Sequence, residues 1–381
     1  MSDDSGGATG EGSAVAVLDE AMREQFTWYV VAKKEFQDAS RSKGLWVLSA
    51  VFTLIFLLPV GVVLYIGGVG PSVDSGGLGM RVIIESIYLD LVTTILPIVA
   101  IFVGVAAITK ERSSGSMKVL LSLPFSRRDV IIGKVLGRCA TVAVPFLIAA
   151  TITGGFFMLS RVSFNGEMYL LFMLYSLLLA LVMVAIAVSI SGAVSTTVRS
   201  FLVNLTVYVY VTFLWNSAAN QIGEFLYNQV GVSRSIRWNA VMFLKLFSPT
   251  QSYKAVVRSI LAGFSDSVQP GLVRLSEQSG EQLTQMGAAQ YARYNLFNVR
   301  GGFLSPGLPD ADKRALCENV VGATYRNVTV TVQNQTQTTS VCTGGSDLPF
   351  YLSDPAVVVF MLSWIGIAAA VSYYTFDQVD L

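Results

Sequence analysis

Residues 87–134 read IYLDLVTTILPIVAIFVGVAAITKERSSGSMKVLLSLPFSRRDVIIGK, an apolar run that passes directly into a short basic loop. From Ile87 to Thr109 the only charged residue is Asp90. Wound as a helix at about 1.5 Å per residue, that run covers the roughly 30 Å of hydrocarbon in a bilayer. The adjoining loop carries Lys110, Arg112, Lys118, Arg127, Arg128, Lys134 and Arg138, which marks the side of the membrane on which it stays.

Five further runs of the same kind extend the pattern outward: Leu45–Gly67, Cys139–Leu159, Met168–Ser191, Phe201–Gly223 and Pro355–Phe376. Each is bounded by Gly, Pro or charged residues. Only 13% of the 381 residues are charged, too few to cover a soluble globule of this size. The expected fold is therefore an all-α polytopic membrane protein with six transmembrane helices. Residues 1–24 read as a disordered tail that lacks the basic-then-apolar pattern of a cleaved signal peptide. Residues 25–44 read as an amphipathic helix, 45–223 as the first five spans, 224–354 as an insertion, 355–376 as the sixth span and 377–381 as a tail.

Lys and Arg in the segments close to the spans number twelve on the side of the N-terminus and the basic loop, whereas the opposite short loops hold only Arg81 and Arg161. That bias places both termini in the cytoplasm and segment 224–354 outside. The outer segment carries sequons at Asn327 and Asn334, which can be glycosylated only on that side. Val328, Val330 and Val332 alternate with polar residues as in a half-exposed strand, so the insertion is expected to mix α and β structure. Cys317 and Cys342 flank this stretch, either as a disulfide or as two buried thiols. Ser248-Pro249-Thr250-Gln251 supplies the start of a helix whose apolar residues Tyr253, Val256, Val257, Ile260 and Leu261 share one face, expected on the outer domain or along the membrane surface.

Catalysis within the chain finds no support. Histidine is absent, which removes histidine bases and histidine metal sites; no metal or other cofactor is expected. Asp90 is a lone carboxylate and makes no acid dyad; it reads either as an interfacial residue or as part of a transport path. In the fifth span Asn204, Tyr208, Thr212, Asn216 and Asn220 recur every fourth residue as a slowly winding polar ridge. The ridge contacts neighbouring helices or a second subunit, or lines a translocation route.

The basic loop holds two helix starts. Met117, Leu120 and Leu121 share one face of a short helix that Pro124 ends, and Ser126 with Asp129 caps a second helix running through Lys134 into the third span. On composition alone this is a topological connector. The residue order says more: Lys110-Glu111-Arg112, Gly115-Ser116, Leu120-Leu121-Ser122, Pro124, Ser126-Arg127 and Gly133-Lys134 resemble the coupling-helix region of the ABC-2 family of transporter permeases. Serine at 116 replaces that family's usual threonine and keeps the hydroxyl. Phe26–Lys43 resembles the family's elbow helix, Phe376–Leu381 its cytoplasmic tail, and the large insertion is similar to the copper-associated branch.

The resemblance implies a permease subunit, read here as part of an exporter, whose coupling loop includes Lys110, Glu111, Gly115, Met117, Leu120, Leu121, Pro124, Arg127, Asp129 and Lys134. It implies a separate cytoplasmic ATPase that binds ATP and Mg, a second permease subunit and no nucleic acid. The chain carries no phosphate loop of its own, because Arg128 stands where the first glycine before Gly133-Lys134 would be. The competing reading is a membrane-anchored extracytoplasmic binding protein, in which the loop is only a connector.

Overall fold

The computed structural model describes residues 10–66, 80–114, 126–159, 164–264, 282–294, 309–332, 335–345 and 348–378, with Glu277, Gly280 and Leu296 between them. Six of its helices are long and apolar enough to cross a membrane, over Lys43–Val62, Ile84–Ser114, Arg128–Leu159, Gly166–Ala193, Thr197–Val230 and Asp354–Ser372.

Helix α1 (Gly10–Gln25) precedes α2 (Thr27–Arg41). The disordered tail expected through residue 24 is thus corrected from Gly10 onward. Its Asp19 accepts hydrogen bonds from Lys33 and Tyr29 of α2, a link that low local hydrophobicity did not reveal. Those bonds, that from Lys33 first, hold the Asp19 carboxyl below its ordinary pKa.

The first span is α3 (Lys43–Ile66). The second begins as α4 (Met80–Ile83), passes through a π turn at Ile84–Tyr88 and continues as α5 (Leu89–Gly104). A turn over residues 105–108 leads to α6 (Thr109–Ser114). The third and fourth spans are α7 (Arg127–Leu159) and α8 (Gly166–Ala193). The fifth is α9 (Thr197–Val209), a π turn at Tyr210–Leu214, α10 (Trp215–Phe225) and a second π turn at Leu226–Val230, where Gly231 in the left-handed region stops it. It runs seven residues past the expected end at Gly223, because the polar residues after it still continue the helix.

Lipid tails are as apolar as leucine, so the hydrophobic effect does not hold these helices together; close packing does. Phe52 and Phe56 of α3, Tyr88, Phe146 of α7 and Phe172 of α8 are all buried and form one ring cluster. The Tyr88 hydroxyl donates to the Phe56 carbonyl at 2.5 Å, satisfying a polar group that lipid could not.

Between the fifth and sixth spans lie α11 (Arg234–Phe247), α12 (Pro249–Gly263), α13 (Ala288–Tyr294), α14 (Asp310–Arg314) with a π turn at Ala315–Val320, and the antiparallel strands β1 (Thr324–Val332) and β2 (Gln335–Thr343). The sixth span is α15 (Asp354–Gln378). Helix α12 does not lie along the membrane surface; Ala255 and Val256 pack into the insertion's own core, the first of the two placements expected. Tyr253, Val257 and Leu261 belong to the same buried cluster as the spans, and Tyr253 shares a 2.8 Å hydrogen bond with Ser176 of α8. Its start also differs from a capping box: the Ser248 hydroxyl reaches the Val211 carbonyl in the fifth-span π turn and makes no side-chain cap. Arg293 of α13, with no exposed side-chain surface, donates to the Leu352 and Ala255 carbonyls and to Asp354 at 2.5 Å, fastening the insertion to the root of the sixth span.

Cys317 and Cys342 are joined by a disulfide across 25 residues, Cα atoms 6.0 Å apart, tying the π turn after α14 to β2 opposite Tyr325. Closing a loop of that length contributes about 3 kcal/mol to the stability of this segment. Reductant is expected to make the hairpin measurably more sensitive to limited proteolysis; identical digestion with and without reductant would overturn this.

Candidate functional site

The end of the basic loop that enters the third span lies in close backbone contact with α2. A Cβ added at Gly133 of α7 would sit 2.6 Å from the Val31 Cβ and 2.7 Å from the Trp28 carbonyl; at Gly137 it would sit 2.6 Å from the Glu35 Cβ and 2.8 Å from the Ala32 carbonyl. The Gly133-x-x-x-Gly137 stripe therefore lets α2 lie directly against the root of the third span.

That approach buries a charge network. Lys134, on the same turn as the glycines and with no exposed side-chain surface, lies 2.7 Å from Glu35 of α2 and 2.7 Å from Glu111 of α6. Arg138, one turn on, binds the second oxygen of Glu35 at 2.8 Å. The two flanking carboxylates give this buried amino group the close partners that deep burial requires. Arg112 of α6 donates to the Val194 and Gly192 carbonyls at the end of the fourth span, both at 3.1 Å. Ser191 receives the Ile108 and Thr109 amides and donates to the Val105 carbonyl, stitching the turn between α5 and α6 to the same helix end. Ser126 and Asp129 exchange hydrogen bonds at the start of α7, the Ser126 hydroxyl to the Asp129 carboxylate at 2.7 Å and the Asp129 amide to the hydroxyl at 3.1 Å.

Of the residues expected in the coupling loop, Glu111 and Lys134 meet each other, Lys110 is exposed beside them, Asp129 caps α7 and Arg127 is its first residue. Gly115, Met117, Leu120, Leu121 and Pro124 lie outside the described residues. Glu35, Arg112 and Arg138 complete the arrangement; from sequence, Arg138 entered only as one of the loop's basic residues, Arg112 as that and as part of the Lys110-Glu111-Arg112 motif, and Glu35 was not singled out. The glycine pair four residues apart was the signal that could have found the contact.

At the other end of the spans, Asp90 is not alone: Lys254 of α12 lies 2.5 Å from it, with Asp90 mostly exposed and Lys254 mostly covered. The fifth-span ridge divides. Asn204 is buried and donates to the Ser200 and Ala187 carbonyls, and the Tyr208 hydroxyl donates to the Thr94 carbonyl of the second span. Beyond them the π turn inserts about one extra residue and rotates the rest of the span by roughly 100°. Asn220 is exposed, while Thr212 Oγ1 and Asn216 Oδ1 are buried and make no hydrogen bond among the described residues. A continuous ridge is thus corrected to two offset polar groups. Asn327 is exposed on β1 and accepts a hydrogen bond from Ser340; Asn334 lies outside the described residues.

Six helices long and apolar enough to cross a bilayer define a multi-pass membrane protein. The chain belongs to the ABC-2 family: the model of the ABC-2 family transporter protein matches residues 29–381. Two curated relatives carry the name probable ABC transporter permease protein NosY. That from Pseudomonas aeruginosa is 28% identical over 120 residues, 32% of this chain and 42% of its own length. That from Stutzerimonas stutzeri is 30% identical over 120 residues, 31% of this chain and 41% of its own. The match therefore spans less than half the length of either relative.

Proposed function

We propose that this chain is the path-forming subunit of an ABC exporter, paired with a second permease subunit and driven through loop 110–134 by a separate cytoplasmic ATPase that binds ATP and Mg. The observation that carries the reading is the Glu35–Lys134–Glu111 network, with Arg112 on the fourth span. It joins both ends of the loop to α2 and to three spans, so a displacement of the loop is delivered to the bundle as a whole. The twelve-to-two distribution of Lys and Arg puts that loop, with both termini, on the cytoplasmic side. In intact cells, labelling of a cysteine at Ser114 by an impermeant thiol reagent overturns that sidedness.

The binding-protein alternative loses ground because α12 of the insertion packs Tyr253, Val257 and Leu261 into the core of the spans and Arg293 pins the insertion to the sixth, while the rest of the insertion keeps a core of its own around Trp238, Leu246 and Leu316. The test is reconstitution with the candidate ATPase in liposomes. The wild-type chain is expected to raise ATP hydrolysis, and Arg127→Glu to lower the stimulated part about tenfold, the worth of one charge-assisted contact. Hydrolysis that the wild-type chain leaves unchanged sinks the proposal.

A further inference from the structure

A cleft of about 730 Å³ opens between α2, α3, α5, α6 and α7, at the end of the bundle where α2 lies. Its rim is charged, with Asp38, Lys110 and Arg138, whereas its wall is apolar, with Leu45 and Leu48 of the first span and Phe102 of the second. The charges at the rim are not spent on one another. Glu35 and Glu111, which also line it, are committed to Lys134 and Arg138. Among the described residues Asp38 and Lys110 are exposed and form no ion pair, and Arg138 uses one nitrogen on Glu35 while its buried Nε has no acceptor.

We infer that this cleft binds a phospholipid with a primary-amine headgroup from the leaflet beside α2. The inference goes beyond the transport reading and needs no sidedness. Two cationic donors, Lys110 and Arg138, suit a phosphodiester, which accepts but cannot donate. The open carboxylate of Asp38 suits an ammonium with N–H donors; a choline headgroup offers none, and a glycerol headgroup offers no positive charge. The wall belongs to two membrane spans, and Phe102 is 66% exposed, so an acyl chain can lie along Leu48 and Phe102 without leaving hydrocarbon. The volume suits a headgroup and the first part of its chains, within the usual range of ligand sites. A soluble protein partner could meet the rim but not the wall.

Native mass spectrometry of the detergent-purified full chain, titrated with phosphatidylethanolamine, phosphatidylcholine and phosphatidylglycerol of equal chain length, tests this. The ethanolamine lipid is expected to bind about tenfold more tightly than either other, the worth of one charge-assisted hydrogen bond. Asp38→Asn removes the preference over choline, and Lys110→Ala weakens all three lipids about tenfold. Leu48→Trp fills the wall and blocks all three, while water-soluble glycerophosphoethanolamine fails to compete. Equal binding of the three lipids with no effect of Asp38→Asn overturns the inference, as does a preference for phosphatidylglycerol. Disulfide formation between two copies through a cysteine at Phe102, with lipid excluded, gives the cleft to a second copy and also overturns it. Asp38 and Lys110 are exposed, so their variants keep the test open if the tryptophan variant does not fold.

Discussion

Lys134→Met lowers the stability of the detergent-purified chain by about 3–5 kcal/mol, the range for breaking a buried ion pair by removing one partner. Lys134 is fully buried and holds Glu35 and Glu111 at 2.7 Å each. Glu35 keeps Arg138, and Glu111 retains some access to water, so the lower half of that range is the closer guide. Methionine fills the volume, which isolates the charge from the packing against α2. Thermal unfolding of the purified variant is expected at a midpoint several degrees lower. The double variant Lys134→Met, Glu111→Gln leaves Glu35 paired with Arg138, strands no buried charge and is expected to recover most of the loss, since a buried network often contributes little net stability over neutral groups of the same shape. A Lys134→Met chain that melts with wild type shows that the clamp at the loop root is absent in solution.

How far each contact reaches along the chain decides whether the sequence disclosed it or hid it. The six spans are legible because about 20 apolar residues in a row is itself the physical requirement. The cap of α7 is legible because Ser126 and Asp129 are three residues apart. The Glu35–Lys134 pair spans 99 positions and the Asp90–Lys254 pair 164, and neither has a local signature. Asp90 looked solitary for that reason. Helix α12 showed the apolar stripe of a packed helix, yet nothing in the stripe distinguishes burial against Ser176 from rest on a membrane surface. The fifth-span ridge was misjudged through one assumption, an unbroken turn of 100° per residue, which the π turn at Tyr210–Leu214 violates. Gly133 was read only with Lys134, as part of the resemblance and as a phosphate loop it does not make, and Gly137 was not read at all. Their use is steric, as the place where α2 touches α7.

Leu120→Asp abolishes productive association with the driving ATPase while leaving insertion and folding intact. Leu120 lies between Ser114, the last residue of α6, and Ser126, which caps α7, and shares a helical face with Met117 and Leu121 in the sequence pattern. A face of that kind on a polar loop has no apolar partner of its own in the pattern, and a groove in a second protein is the partner proposed. An aspartate placed there loses the apolar contact and adds an unpaired carboxylate to a drying interface, together about 3–4 kcal/mol, or a hundredfold or more in affinity. Leu120→Met, which keeps an apolar side chain of similar size, is expected to bind as wild type. The measurement is co-purification with a tagged ATPase in detergent, followed by the permease-dependent part of ATP hydrolysis in liposomes. Loss of both with Leu120→Asp, alongside an unchanged melting temperature, separates a docking role from a folding one. Undiminished co-purification and stimulation make this loop a connector, and the clamp at its root would then hold the bundle together without passing any movement into it.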